Sequence, residues 1–216
     1  METSYYAQYH TSAEAESIFA QVFGGRLTFC GFEPVAPRKW VQETGRGFKY
    51  FFYVNTGNSG FSYLPWGAIS LDFVPRRIAG KVKIRPGPKN AAVHYSFKRN
   101  PGPDWSIDKN RENFREKVEK IAGESVTEIT AWFQRFNSLL DVVAALDQEK
   151  AASSPAGFYC YPMMTMAYAF ALARVQRVED ARAEFEQTIE SMYWDSDLHS
   201  ELRDLLEAEI QRSIGQ

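Results

Sequence analysis

Apolar positions change their spacing twice along this chain. After Thr11-Ser12, the residues Ile18, Phe19, Val22 and Phe23 recur at helical intervals, with Glu14 and Glu16 in the first turn. That pattern predicts a capped helix over residues 12–23, stopped by Gly24-Gly25. The period then falls to two. The run "RKWVQET", the turn Gly45-Arg46-Gly47 and the run "FKYFFYVN" read as a hairpin. Phe48, Tyr50, Phe52 and Val54 load one face of its second strand, and Phe51 and Tyr53 load the other, which places that strand centrally. "TGNSG" at 56–60 reads as a loop. In "GAISLDFV", Ile69, Leu71 and Phe73 alternate with Ser70 and Asp72. In "AAVHYSFKR", Val93, Tyr95 and Phe97 alternate with His94, Ser96 and Lys98, so His94 is expected on the polar side. Residues 26–99 thus predict an antiparallel meander of four or five strands.

"NPGPDWSIDKN" at 100–110 ends the sheet, and helical spacing returns. Ser106 or Asp108 can cap a helix that Gly123 ends. A following helix carries Val126, Ile129, Phe133, Phe136, Leu140, Val143 and Leu146 on one stripe. "AASSPAG" at 151–157 reads as a linker. Beyond it, "YPMMTMAYAFALARV" is apolar on several sides, and two amphipathic segments follow. The expected class is α+β, with residues 1–150 as an α+β domain, 151–157 as linker and 158–216 as a helical subdomain.

Charge sharpens this picture. Residues 26–99 hold 13 basic and 3 acidic side chains, whereas residues 141–216 hold 6 basic and 14 acidic, within a net charge of −2. The basic excess concentrates in "VPRRIAGKVKIRPGPKN" and just beyond it, in Arg76, Arg77, Lys81, Lys83, Arg85, Lys89, Lys98 and Arg99. Such a stripe fits the solvated or protected edge of a sheet, the acidic surface of a protein partner, or nucleic acid. The aromatic neighbours Tyr95 and Phe97 alternate with the cations and are expected on the opposite face, which disfavours a shared base-stacking surface. The acidic helices, through Glu184, Asp195 and Asp197, are a second candidate docking surface.

Catalytic patterns are sparse. His10, His94 and His199 are scattered, no metal-ligand spacing occurs, and phosphate-loop and nucleophile-elbow motifs do not appear. An acid pair at Asp104 and Asp108, or a pocket gathering Asp72, His94 and Asp104, is the residual enzyme reading. No cofactor is expected. Cys30 and Cys160, distant and outside any CxxC, are expected as buried free thiols. No apolar run has the length of a membrane helix, and residues 1–25 lack both Lys and Arg and a signal-type apolar core, so a cytoplasmic protein is expected.

Two resemblances add to this. Gly31-Phe32, Lys39-Trp40, Gly67-Ala68-Ile69 and Ala131-Trp132-Phe133, in that order after an initial helix, resemble the bacterial domain of unknown function 4304 family over residues 12–150. The family has no assigned activity. The resemblance implies an α+β domain of bacterial origin, and by analogy with orphan domains beside toxin genes, an immunity-type or accessory protein. Ala167, Tyr168, Ala171, Ala181, Phe185 and Ile189 resemble the packing positions of one tetratricopeptide unit, with Gln176 or Arg177 in place of the turn glycine; a single copy makes a helix hairpin, not a solenoid. The leading expectation is a non-catalytic protein-binding protein. Nucleic-acid binding through 76–99 is the alternative, and an enzyme of unrecognised type the third reading.

Overall fold

The structure is a computed structural model that describes residues 9–57, 62–78, 81–83, 87–88, 92–97, 105–108, 110–191 and 196–215. Its strands are β1 (Glu33–Ala36), β2 (Lys39–Glu43), β3 (Phe48–Thr56), β4 (Ser62–Leu71), β5 (Arg76–Ile78), β6 (Lys81–Lys83), β7 (Tyr95–Ser96) and β8 (Ile107–Asp108). Its helices are α1 (Ser12–Phe29), α2 (Phe114–Phe133), α3 (Leu139–Ala152), α4 (Pro155–Tyr159), α5 (Pro162–Arg174), α6 (Val178–Glu190) and α7 (Ser196–Ile214). The main antiparallel sheet has the order β1-β2-β3-β4-β7, with β8 also paired to β4; β5 and β6 form a separate two-stranded sheet. The class is α+β. As the two-sided apolar load on Phe48–Val54 predicts, β3 is the middle strand.

The chain forms two compact units, each discontinuous in sequence. The first comprises 1–43, 50–68 and 96–135, and the second 44–49, 69–95 and 136–216. The expected linker at 151–157 is the end of α3, a break at Ser153-Ser154 and the start of α4, all inside the second unit.

In the first unit, α1 and α2 cover one face of the sheet. Ala15, Phe19, Phe23 and Leu27 form an i, i+4 stripe that is fully buried. Phe19 meets Tyr63 edge-on at 4.8 Å, Phe23 lies 5.6 Å from Phe52, and Tyr50 stacks on Phe133 at 4.5 Å. Gly67 permits the approach of α2: a Cβ there would overlap Ile129 Cγ2 and sit 3.3 Å from Phe133. In the second unit, α5 is the buried helix, with Met166 to Ala173 all enclosed, and α3, α4, α6 and α7 pack on it. The six residues that resemble tetratricopeptide packing positions are all buried across α5 and α6. Gln176 takes the left-handed conformation (φ 64°) in the turn between these helices, and its Nε2 donates to Ser213 O at 2.8 Å.

Three element boundaries differ from expectation. α1 does not stop at Gly24-Gly25 but continues to Phe29, because the next turn buries Leu27, and that burial outweighs the roughly 1 kcal/mol helix penalty of each glycine. α2 runs through Gly123 for the same reason, with Val118, Ile121, Ala122, Val126 and Ile129 buried on both sides of it. The break between α2 and α3 falls instead at 134–138. There Ser138 accepts from the Asp141 amide and the Asp141 carboxylate accepts from the Ser138 amide at 2.8 Å, a complete capping box. Residues Ile107–Asp108, expected to cap or precede a helix, pair with Tyr63 and Ser62 as a strand, and α2 starts at Asn113 without a side-chain cap.

Candidate functional site: a basic two-stranded ribbon

The candidate site begins at the end of β4. Two β-branched residues, Ile78 after Arg77 and Val82 between Lys81 and Lys83, favour extended backbone. β5 and β6 pair antiparallel with Arg76 opposite Lys83, Arg77 opposite Val82 and Ile78 opposite Lys81. A two-stranded ribbon is marginal by itself. No acidic residue occurs anywhere from 73 to 103. The register therefore places Arg76, Arg77, Lys81 and Lys83 on one short ribbon. Of the eight residues the sequence proposes, these four are brought together; Arg85, Lys89, Lys98 and Arg99 lie outside the described residues. So do Asn58 to Gly60 of the expected loop, and Asp104.

His94 lies beside this ribbon, and not as expected. The alternation in "AAVHYSFKR" is out of phase with the sequence reading: Val93 is 41% exposed and His94 4%. The reason is hydrogen bonding to the end of β4. The His94 amide donates to Ile69 O at 2.9 Å, and the Leu71 amide donates to His94 Nδ1 at 2.8 Å. The bond to Nδ1 places the ring proton on Nε2, a buried atom with no hydrogen-bond partner among the described residues. Burial, and secondarily the Arg76 charge, pull its pKa down to about 3. His94 is thus a neutral histidine that ties the segment before β7 to β4.

The other candidate groups are engaged in structure. Asp72 pairs with Lys49 at 3.1 Å, and Asp108 with Lys117 at 3.1 Å. His10 lies against Phe114 at 4.7 Å and near Glu14, and His199 is half-buried. Among the described residues no group of three or more His, Cys, Asp or Glu is placed to hold a metal ion. The cysteines are free, but neither is buried: Cys30 is half-buried and Cys160 exposed. Both sit at helix ends, where the chain turns toward solvent.

Of the three acids named for a C-terminal docking surface, Glu184 is not on the surface. Glu184 is 5% exposed, held by Lys150 and by the Tyr159 hydroxyl at 2.7 Å, and is an internal anchor. Asp195 and the side chain of Asp197 lie outside the described residues. Other acids pair with cations of the C-terminal helices, mostly across from one helix to the next: Asp147 with Arg177 at 2.7 Å, Glu186 with Arg203 at 2.8 Å, Glu207 with Arg182 at 2.8 Å, and the buried Glu209 with Arg174 and Arg212. Hydrogen bonds from Arg203 and Arg182 hold the Glu186 and Glu207 carboxyls below the usual carboxylate range. Much of the negative charge of the C-terminal part is therefore matched within its own helices.

Sequence reasoning also passed over Arg26 and Phe29, by ending α1 too early. The signal was present in the stripe Ala15, Phe19, Phe23, which continues at the same interval to Leu27 and so carries the helix past both glycines. Compared with protein-family models, curated proteins and solved structures, the chain matches none of them.

Proposed function

We propose that this chain is a non-catalytic binding protein of the bacterial cytoplasm that docks an acidic surface of a protein partner on the β5–β6 ribbon, as an immunity-type inhibitor would. The observation that carries this reading is the register that sets Arg76 against Lys83, with Arg77 and Lys81 on the same short ribbon. Clustered charge of one sign steers encounter and selects partners more than it tightens a complex. The test is paired capture from nuclease-treated native lysate, using the wild-type chain and the variant R76E/R77E/K81E/K83E, read by mass spectrometry. The proposal expects a stoichiometric protein on the wild type that is absent from the variant, with both forms folded. The same proteins on both baits would contradict it.

One observation favours a second reading, nucleic acid. Trp66, 37% exposed on β4, stacks with Tyr53 of β3 at 6.4 Å and 20°, an aromatic pair of the kind on which bases stack. That reading predicts binding of a single-stranded oligonucleotide that weakens steeply with salt and is lost in W66A. Absence of binding at low ionic strength would remove it.

A further inference from the structure

A surface on the first unit, which the proposal above does not use, has features of a recognition groove. It lies between the last turn of α1 and the middle of α2, has a volume of about 350 Å³, and is lined by Gly25, Arg26, Phe29, Cys30, Gly123, Val126 and Thr127. Phe29 stands at its rim with 94% of its surface exposed, the most exposed of the large hydrophobic residues described. A benzyl side chain left in water forgoes the free energy its burial would release, and the adjoining Leu27 and Phe32, both buried, show that the local chain can enclose such groups.

The groove's polar element is Arg26. In this unit Arg38 pairs with Glu16 at 3.3 Å, Arg111 with Glu14 at 3.1 Å and Arg115 with Glu119 at 3.1 Å. Arg26 has no carboxylate partner among the described residues, although its guanidinium lies 3.9 Å from where a Cβ of Gly123 would be. The groove therefore offers a cation without a carboxylate among the described residues, next to an unburied aromatic ring.

The glycines bear on the same point. Gly25 and Gly123 both sit inside helices, where glycine is disfavoured relative to alanine. Neither has a positive φ, a Cβ at Gly25 would meet nothing within 4 Å, and one at Gly123 would make only an ordinary contact. The fold would accept alanine at both positions. Gly24 differs, since its Cβ would rest 3.6 Å from Trp40 Nε1. What Gly25 and Gly123 share is the groove, whose floor they leave bare.

We infer that this groove receives a peptide segment of a partner protein in which a carboxylate lies next to an apolar side chain. The apolar group packs against Phe29 and Val126 over the two glycines, and the carboxylate takes a charge-assisted hydrogen bond from Arg26. The test uses phage-displayed random peptides selected on the full chain, followed by affinity measurement with the synthesised winners. The expected winners carry Asp or Glu within two positions of an apolar residue and bind R26E at least about tenfold more weakly, the loss of one charge-assisted contact. They also bind F29A and G25A/G123A more weakly, while G25A/G123A melts no lower than the wild type. Failure to enrich, winners without an acid, or affinity unchanged in R26E or in G25A/G123A would overturn the inference. So would 3-phenylpropionate alone binding as tightly as the peptides, which would make the site one for small carboxylates. Sedimentation showing a dimer of the wild type that F29A dissolves would also overturn it, by assigning the groove to a second copy of the chain.

Discussion

His94 shows how a single side chain can couple this fold to pH. Its ordinary pKa of 6.5 falls to about 3 in the folded chain, first through burial and then through Arg76. Between those values the unfolded chain takes up a proton that the folded chain refuses. Stability from this residue is therefore complete above about pH 6.5 and declines as pH falls toward 3, by about 1.4 kcal/mol per unit. Acidification from pH 6.5 to 5 is predicted to cost about 2 kcal/mol through His94 alone. In H94N the side-chain oxygen can still accept from the Leu71 amide but does not titrate, so urea unfolding of this variant should lose that much less over the same interval; equal losses in both proteins would refute the assignment. Gly67 makes a different residue-scale prediction. Because a Cβ there collides with Ile129, G67A should destabilise the chain by about 1–3 kcal/mol, and the double variant G67A/I129A should lose less than the two single losses together. Neither residue was readable in advance. Alternation gave His94 the wrong face, because two hydrogen bonds to β4, one from its amide and one to its ring, outrank the side-chain period, and Gly67 looked like an ordinary strand start because its constraint comes from a helix some sixty positions away.

At the scale of elements, the apolar period carried most of the information. The central place of β3, the start of α1 at the Thr11–Glu14 capping box and the buried faces of α5 and α6 were all legible, since each rests on a repeat that burial enforces. The stops were not. Gly24-Gly25 and Gly123 resemble terminators, yet helix propensity is a small term beside the burial of Leu27 or Val126. The true break before α3 was written as Ser138-x-x-Asp141, a capping signal that the continuous apolar stripe from Val126 to Leu146 concealed. S138A is expected to cost about 1 kcal/mol in chemical denaturation, through loss of the hydroxyl acceptor for the Asp141 amide. A change within a few tenths of a kcal/mol would mean that packing alone fixes the start of α3. The ribbon was half legible: its cations were visible in the sequence, but the pairing of Arg76 with Lys83 depends on a register that no local pattern specifies.

For the whole molecule, charge asymmetry is the property that bears on function. The chain is basic from 26 to 99 and acidic from 141 to 216, and Asp147, Glu186 and Glu207 find their cations on or beside neighbouring helices of that acidic part. The helical part balances much of its own charge, while the ribbon gathers residues of one sign. Circular dichroism that shows the charge-reversed chain folded allows its lost binding to be read as a loss of recognition. Hydrogen exchange of the backbone amides, measured on the chain alone and with its captured partner, locates the docking surface. The partner should slow exchange at Arg76 to Lys83, and raising the salt concentration should weaken this protection. Protection confined to other segments, with Arg76 to Lys83 exchanging as fast in the complex as in the free chain, would contradict docking on the ribbon.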